Sequence, residues 1–309
     1  NQYKFKLTHL VYLGNSGSHS EDNIKKVLLK VFLIYFFLTL FIFIILNISD
    51  VRLFNSLNLS MTIISSGGFL PNNNLSQIIS IDNSYLLVVA FLIPMFNFFF
   101  ITNIFNKKFI SHHQEDLFLI AFAFILSLVM IYTFSENNVT ETLINILSSL
   151  TNSGLTLTNQ VETTLLYIIL CIIGGALISN SSGIKFLRIY ILLKTASSEI
   201  IKLVRPNNVF NNSILYSENK IDNQVVSLSF LIFISFFLSV FVLSSFLVLD
   251  QINFENSFKL SILTLTNTTN SSLYGLSEID FKSFLSSTKI LLILFMIIGK
   301  IELISIFIL

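Results

Sequence analysis

Long apolar runs dominate this sequence, and their lengths give the first indication of its structure. A helix that crosses a membrane needs about 20 mostly apolar residues. Runs of this kind predict six spanning helices, with a weaker seventh run at 184–203. The predicted spans are 28–46, 85–105, 117–134, 165–178, 225–249 and 290–309. The pattern therefore predicts an all-α polytopic membrane protein.

Three of the connections between spans carry a half-apolar segment that is too short to cross a membrane. Each ends in a cluster of Gly, Ser, Thr and Asn, and each cluster lies at a similar distance from the start of the preceding span. The segments are FNSLNLSMTIISSGGFLPNNN from Phe54, ETLINILSSLTNSGLTLTN from Glu141 and NSFKLSILTLTNTTNSSLYGL from Asn256. A repeat of span, short helix, polar loop and span is indicated.

The repeat favours a re-entrant pore. Irregular backbone cannot face lipid, because each unpaired N–H or C=O would cost several kcal/mol. It must line water or protein, and loops of this design expose carbonyl oxygens to a dehydrated cation. Gly67, Gly68 and Gly154 can adopt the positive φ that such loops require, because they have no Cβ. Surface turns are the alternative for any single loop, but three loops in register on one side of the membrane argue against it.

Composition excludes an ordinary soluble protein. Of the 309 residues, 53% are apolar and 11% charged, and the mean hydropathy is +0.80. The net charge of +1 predicts no nucleic-acid partner. A single cysteine, Cys171, excludes an intramolecular disulfide and is expected to be a packing or lipid-facing residue. The adjacent His112 and His113 are expected to lie in a solvated loop.

Positive charges give the expected orientation. Thirteen of the 18 Lys and Arg residues lie on the alternate connections 1–30, 106–108 and 185–220. The positive-inside bias places these connections in the cytoplasm, so residue 1 is expected to be cytoplasmic. We predict a multi-pass protein of the cytoplasmic (inner) membrane.

Several motifs together are similar to one known family. They are SMTIISSGGF (60–69), SSLTNSGLTLT (148–158), GGALISNSSGIKFLRIYILLK (174–194), LVRPNNVF (203–210) and GKIELISIFIL (299–309). With them the chain resembles the membrane subunit of Trk-type potassium uptake systems, in the Trk, Ktr and HKT superfamily. The resemblance implies a pseudo-fourfold cation channel fold with four repeats of span, pore helix and span.

Three of those repeats are recognisable here. We expect 1–26 to be a cytoplasmic tail of a missing first repeat with its linker, and 27–105 to be the second repeat of the family. Residues 106–205 correspond to the third repeat, with a broken inner span, and 206–309 to the fourth. A fragment that starts after the first repeat, or a shortened natural protein, would both explain this.

The resemblance implies a selectivity filter for K+. Its ion-binding positions are Ser66, Gly67, Gly68, Asn152, Ser153, Gly154, Asn267, Thr268 and Thr269. Thr269 stands where a glycine is usual, and its Cβ disfavours positive φ by roughly 1–2 kcal/mol. Looser selectivity is therefore expected, unless the loop realigns to use Gly275.

A gate is expected below the filter. Small and polar residues interrupt an apolar run at 174–183, and in the family this interruption forms a loop that obstructs the pore. Lys300 lies within the last apolar run and is expected to face the pore, where relatives usually carry arginine. A tight cytoplasmic turn and a snorkelling lysine are the respective alternatives. The expected gate residues are Ser179, Asn180, Ser181, Ser182, Gly183 and Lys300.

The predicted function is uptake of K+ or Na+, without a cofactor. The expected partners are the lipid bilayer, a second copy of the chain and a cytosolic nucleotide-binding regulatory subunit. A secondary transporter with broken helices and a non-conducting degenerate homologue remain as alternatives. An intramembrane enzyme would need clustered His, Asp, Glu or Cys at membrane depth, and the sequence offers only Glu302 beside Lys300.

Overall fold

The computed structural model describes most of the chain. The described residues are 20–70, 75–79, 83–97, 100, 113–134, 139–157, 164–204, 221, 223–269, 272–276, 281 and 284–301. Ten α-helices lie within them: α1 Ser20–Ile48, α2 Leu53–Ser65, α3 Tyr85–Met95, α4 Gln114–Phe134, α5 Val139–Leu150, α6 Thr164–Ile173, α7 Phe186–Val204, α8 Asn223–Leu249, α9 Phe254–Leu265 and α10 Ser286–Ile301. Two short 3-10 turns cover Leu75–Gln77 and Ser272–Tyr274.

Three of these helices, α1, α4 and α8, are long and apolar enough to cross a membrane. Their outward faces are apolar as well, since large side chains such as Phe32, Phe37, Phe124 and Phe241 are exposed. Such faces are stable in lipid and unfavourable in water. The predicted all-α polytopic membrane fold is confirmed.

The helices form three units with the same order: a long outer helix, a short helix and an inner helix. These are α1–α2–α3, α4–α5–α6 and α8–α9–α10, and α7 follows the second unit. In each unit the outer helix packs against its short helix. The first unit contacts the second because α3 packs against α5, and the second contacts the third because α6 packs against α9.

The predicted span at 85–105 is wrong as a single continuous helix, because α3 ends at Met95. Pro94 lies in its last turn and cannot donate a backbone hydrogen bond. Beyond it, the Asn97 N–H donates to the Asp116 carboxylate at 2.8 Å, and the Met95 carbonyl accepts from the Ala176 N–H at 3.0 Å. Hydrogen-bond partners from distant parts of the chain thus replace the partners that a continuing helix would supply. Residues 101–112 lie outside the described part.

The predicted span at 165–178 is also shorter than expected, because α6 ends at Ile173. Gly174 follows with φ +69°, in the left-handed region that a residue with a Cβ rarely adopts. The weaker run at 184–203 forms α7, and the last span begins at Ser286. Residues 302–309 of that span lie outside the described residues.

The expectation that His113 is solvated is wrong, since only 2% of the residue is exposed. Its Nδ1 lies 2.8 Å from Asp116 Oδ2, and the edge of its ring meets the ring of Phe100. The Asp116 carboxylate is itself buried and needs donors, and it receives them from the imidazole and from the Asn97 backbone. His112 lies outside the described residues.

Candidate functional site

The short helix α2 ends in a tightly specified backbone motif. Ser66 takes a left-handed conformation with φ +53°, and its N–H donates to the Ile63 carbonyl at 3.2 Å. The next N–H, from Gly67, donates to the Thr62 carbonyl at 2.9 Å. This pair of bonds defines a Schellman motif, which satisfies the last carbonyls of the helix.

The end of α5 repeats the motif. Asn152 has φ +58° and donates its N–H to the Ser149 carbonyl at 3.1 Å. Ser153 then donates to the Ser148 carbonyl at 3.0 Å. Asn152 and Ser153 are therefore the structural equivalents of the two residues that close α2.

The end of α9 has the same Schellman motif. Asn267 has φ +61° and donates its N–H to the Thr264 carbonyl at 3.1 Å, and Thr268 donates to the Leu263 carbonyl at 2.8 Å. The three short helices thus end in one geometry and in one register. We call the residues 66–68, 152–154 and 267–269 the end loops.

The third position of each end loop differs between the units. Gly68 and Gly154 have φ +70° and +64°, as expected. Within the described residues, positive φ is found neither at Thr269 nor at Gly67. Gly67 does not need positive φ, because Ser66, one residue earlier, makes the left-handed turn that closes the helix. Gly275, with φ +72°, lies beyond the third end loop near Thr164.

Two of the end loops are in direct contact. A Cβ atom added at Gly68 would lie 2.5 Å from the Ser153 carbonyl oxygen, so only glycine permits this approach. The second and third end loops are each held by an asparagine side-chain amide. Asn152 Nδ2 donates to the Cys171 carbonyl at 2.8 Å, and Asn267 Nδ2 donates to the Met296 carbonyl at 3.2 Å. Each amide joins an end loop to the inner helix of its own unit.

Cys171 lies in a buried polar cluster behind the end loops. Its Sγ is 2.8 Å from Tyr274 Oη, 3.3 Å from the Ser149 carbonyl and 4.0 Å from Thr268 Oγ1. Cys171 and Tyr274 are both fully buried. Of the two expectations for Cys171, internal packing is correct and a lipid-facing position is wrong. The cluster connects the second unit to the third.

We predict that Cys171 reacts with a maleimide only when the protein opens. An opening that costs about 1.4 kcal/mol slows the labelling reaction tenfold. The labelling rate of the native protein should therefore be at least about tenfold lower than the rate in denaturant. Cys171 is the single cysteine among these 309 residues, so labelling of this chain reports on this site. Rapid labelling of the native protein in detergent would contradict the buried position.

The segment 174–185, which we call the central loop, connects α6 to α7. Its first half is hydrogen-bonded to the first and second units: the Ala176 N–H donates to the Met95 carbonyl of α3, and the Leu177 N–H donates to Glu115 Oε1 of α4 at 2.7 Å. Asn180 Nδ2 donates to the Ile64 carbonyl at 2.5 Å. Ser182 Oγ lies 3.4 Å from Asn267 Nδ2.

Its glycines permit close backbone contacts. A Cβ atom at Gly183, where φ is +83°, would lie 2.7 Å from the Cys171 carbonyl oxygen. One at Gly174 would lie 2.5 Å from the Ser182 carbonyl oxygen. The central loop is therefore packed against protein along its length, in contact with all three units.

Lys300 reaches from the last turn of α10 to both other units. Its Nζ donates to the Ser65 carbonyl at the end of α2 and to the Asn180 carbonyl of the central loop, each at 2.9 Å. A cation at the C-terminus of a helix is favoured by the helix dipole. The preceding residue, Gly299, allows α10 to approach the end of α9 closely, because a Cβ there would lie 2.1 Å from the Leu265 carbonyl oxygen.

Sequence reasoning missed two charged residues of this region. Lys185 at the end of the central loop and Glu115 at the start of α4 are both buried. Charged side chains are almost never buried without partners, so their burial marks them as part of the site. The sequence signal was the position of each charge at or near the edge of an apolar run.

Repeated outer, short and inner helices that bring their loop ends together define a class of polytopic membrane proteins with re-entrant segments. No protein-family model matches the chain. The structure is similar to the crystal structure of the potassium transporter TrkH from Vibrio parahaemolyticus, with a TM-score of 0.81 and 21% identity over 96% of this chain. The chain therefore has the TrkH fold.

A curated protein of Methanocaldococcus jannaschii, described as an uncharacterized cation transporter, is also similar in sequence. The two are 25% identical over 219 residues, which is 68% of this chain. The chain spans 44% of the length of that relative and 65% of the length of the TrkH structure.

Proposed function

We propose that this chain forms the ion pathway of a K+ uptake protein and is not an enzyme. The observation that carries the proposal is the shared geometry of the three end loops. Each follows a short helix that ends in the same Schellman motif, and the loops of the first two units touch at Gly68 and Ser153. Helix C-termini and backbone carbonyls are the groups that replace water around a dehydrated cation.

An unpaired polar atom at the end of α2 supports this assignment. Ser66 Oγ is buried and has no hydrogen-bond partner among the described residues. An oxygen of this kind is available to an ion or to water. The proposed filter comprises the three end loops, with K+ as the transported ion. The ordinary φ of Thr269 makes the third loop the least regular part of the filter.

The likeness to a potassium transporter and to a cation transporter supports the same function. We extend it to a gate formed by 179–183 of the central loop and by Lys300. The hydrogen bonds from Lys300 to Ser65 and Asn180 place a positive charge where the ends of α2 and the central loop meet. A fixed charge at that point opposes the passage of cations.

The proposal includes a location and partners. We propose the cytoplasmic membrane, with residue 1 on the cytoplasmic side, as the charge distribution indicates. The homodimer and the cytosolic nucleotide-binding regulatory subunit follow from the family resemblance alone and stay predictions.

The test is a flux assay with the complete protein in liposomes. We expect uptake of 86Rb+ that follows the K+ gradient and the membrane potential, with no requirement for a second ion gradient. A dependence on a Na+ or H+ gradient would indicate a secondary transporter instead. Liposomes that contain correctly folded protein and show no flux would identify a non-conducting homologue and overturn the proposal.

A further inference from the structure

Lys185 is the last residue of the central loop, directly before α7, and its side chain is buried within that loop. Only 1% of the residue is exposed. Its backbone has φ +81°, a left-handed conformation that disfavours any residue with a Cβ. A buried lysine in a strained conformation persists only where the surrounding structure fixes it.

Four oxygen atoms of the central loop surround the Lys185 ammonium. Ser179 contributes its carbonyl at 3.3 Å and its hydroxyl at 3.2 Å. Ser181 contributes its hydroxyl at 3.0 Å and its carbonyl. An ammonium group has three protons to donate, so four oxygens exceed what directed hydrogen bonding requires. We call these four atoms the oxygen cage.

The protons of the two serines are already committed elsewhere. Ser179 Oγ donates to the Ala176 carbonyl at 2.6 Å, and the Ser181 and Ser179 hydroxyls lie 2.8 Å apart. Ser181 Oγ also accepts the Gly175 N–H at 2.9 Å. Ser181 therefore donates to Ser179, and both hydroxyl oxygens present lone pairs to the ammonium. The oxygen cage is an arrangement that accepts a cation.

A buried carboxyl lies within electrostatic range of the Lys185 ammonium. Glu115 is buried and accepts the Leu177 N–H of the central loop at 2.7 Å, and Lys185 and Arg188 are the basic groups that act on it. The loop that holds the oxygen cage is therefore bonded to the start of α4.

We propose that the Lys185 ammonium acts as a built-in cation, which fills a monovalent-cation site in the central loop and fastens that loop to α7. An ammonium group and K+ carry the same charge, are similar in size and are both held by carbonyl and hydroxyl oxygens. Without the lysine, the oxygen cage binds K+ or NH4+ from solution. The identification of this loop as a gate rests on the proposed function, but the cation site itself does not.

The test measures thermal unfolding of the complete protein in detergent, in choline chloride, KCl and NH4Cl. Lys185→Met removes the ammonium, and Lys185→Gly removes it while suiting the backbone at φ +81°. Lys202→Met, on α7 in an exposed pair with Glu199, is the matched control. We expect KCl and NH4Cl to raise the unfolding temperature of both Lys185 variants by several degrees more than they raise that of wild type or control.

Equal salt responses in the Lys185 variants and the control would overturn the proposal. If neither Lys185 variant folds in any of the salts, the serines provide the test with the lysine in place. The double variant Ser179→Ala, Ser181→Ala should then unfold several degrees below Ser197→Ala, Ser198→Ala, whose hydroxyls bond only within α7. Equal unfolding temperatures would overturn the proposal. Because no flux is measured, failure of the transport proposal is seen separately in the liposome assay.

Discussion

Gly68→Ala is expected to lower K+ uptake by at least about tenfold while the protein still inserts into the membrane. Gly68 has φ +70°, where a Cβ costs roughly 1–2 kcal/mol. The added atom would also lie 2.5 Å from the Ser153 carbonyl oxygen, which is one of the proposed ion ligands. The filter would have to shift at the point where two units meet. Uptake is measured in cells that lack other K+ systems.

Gly67→Ala is the matched control for this prediction. Gly67 is the neighbouring residue but lacks positive φ in the described structure, and its added Cβ would meet the Ser65 hydroxyl at 3.0 Å. A serine side chain can rotate away, so uptake should change little. Wild-type uptake by Gly68→Ala, with both variants present at equal levels in the membrane, would indicate that these loops are ordinary turns.

Lys300→Ala is expected to increase the K+ leak, by up to about a hundredfold. A unit charge repels K+ by about 2.8 kcal/mol at an effective dielectric constant near 20 and a separation of about 6 Å. The variant also loses the hydrogen bonds to Ser65 and Asn180, which hold the central loop against α2. Loss of the charge and loss of these hydrogen bonds both increase the leak. Conductance is measured in reconstituted bilayers at matched voltage and salt.

Two variants separate the charge from other consequences of the substitution. Lys300→Arg keeps the charge and should remain close to wild type. Lys289→Ala removes an exposed lysine near the start of the same helix, at a distance from the end loops, and should not change the leak. An alanine variant at 300 that conducts like wild type would exclude the barrier role.

The membrane fold could be predicted from the sequence because long apolar runs have few stable arrangements in lipid. The bounds of α4 and α8 were predicted to within three residues, whereas α1 begins eight residues before its predicted start. The register of α2 and α5 was also predictable, since Gly68 and Gly154 mark the loops that follow these two helices. The early end of α3 could not be predicted, because it depends on the Asp116 carboxylate and on Ala176, which are distant in sequence.

The side-chain partners of the site were beyond sequence reasoning for a similar reason. Cys171 and Tyr274 are about 100 positions apart, and neither residue type indicates the other. Lys185 followed a glycine-containing apolar segment and was counted among cytoplasmic charges, yet its ammonium is buried among serine oxygens. Local patterns specify helices and turns, whereas the partners of a buried charge depend on tertiary packing.

The exchange of backbone partners at the end of α3 has a consequence for biogenesis. The Met95 carbonyl and the Asn97 N–H are satisfied by Ala176 and Asp116, which are synthesised later than α3 itself. Until that part of the chain has entered the bilayer, these groups have no such partners in an environment where unpaired backbone is costly. The end of α3 therefore reaches its final form only after the second unit has been inserted, so folding of the first unit depends on insertion of the second.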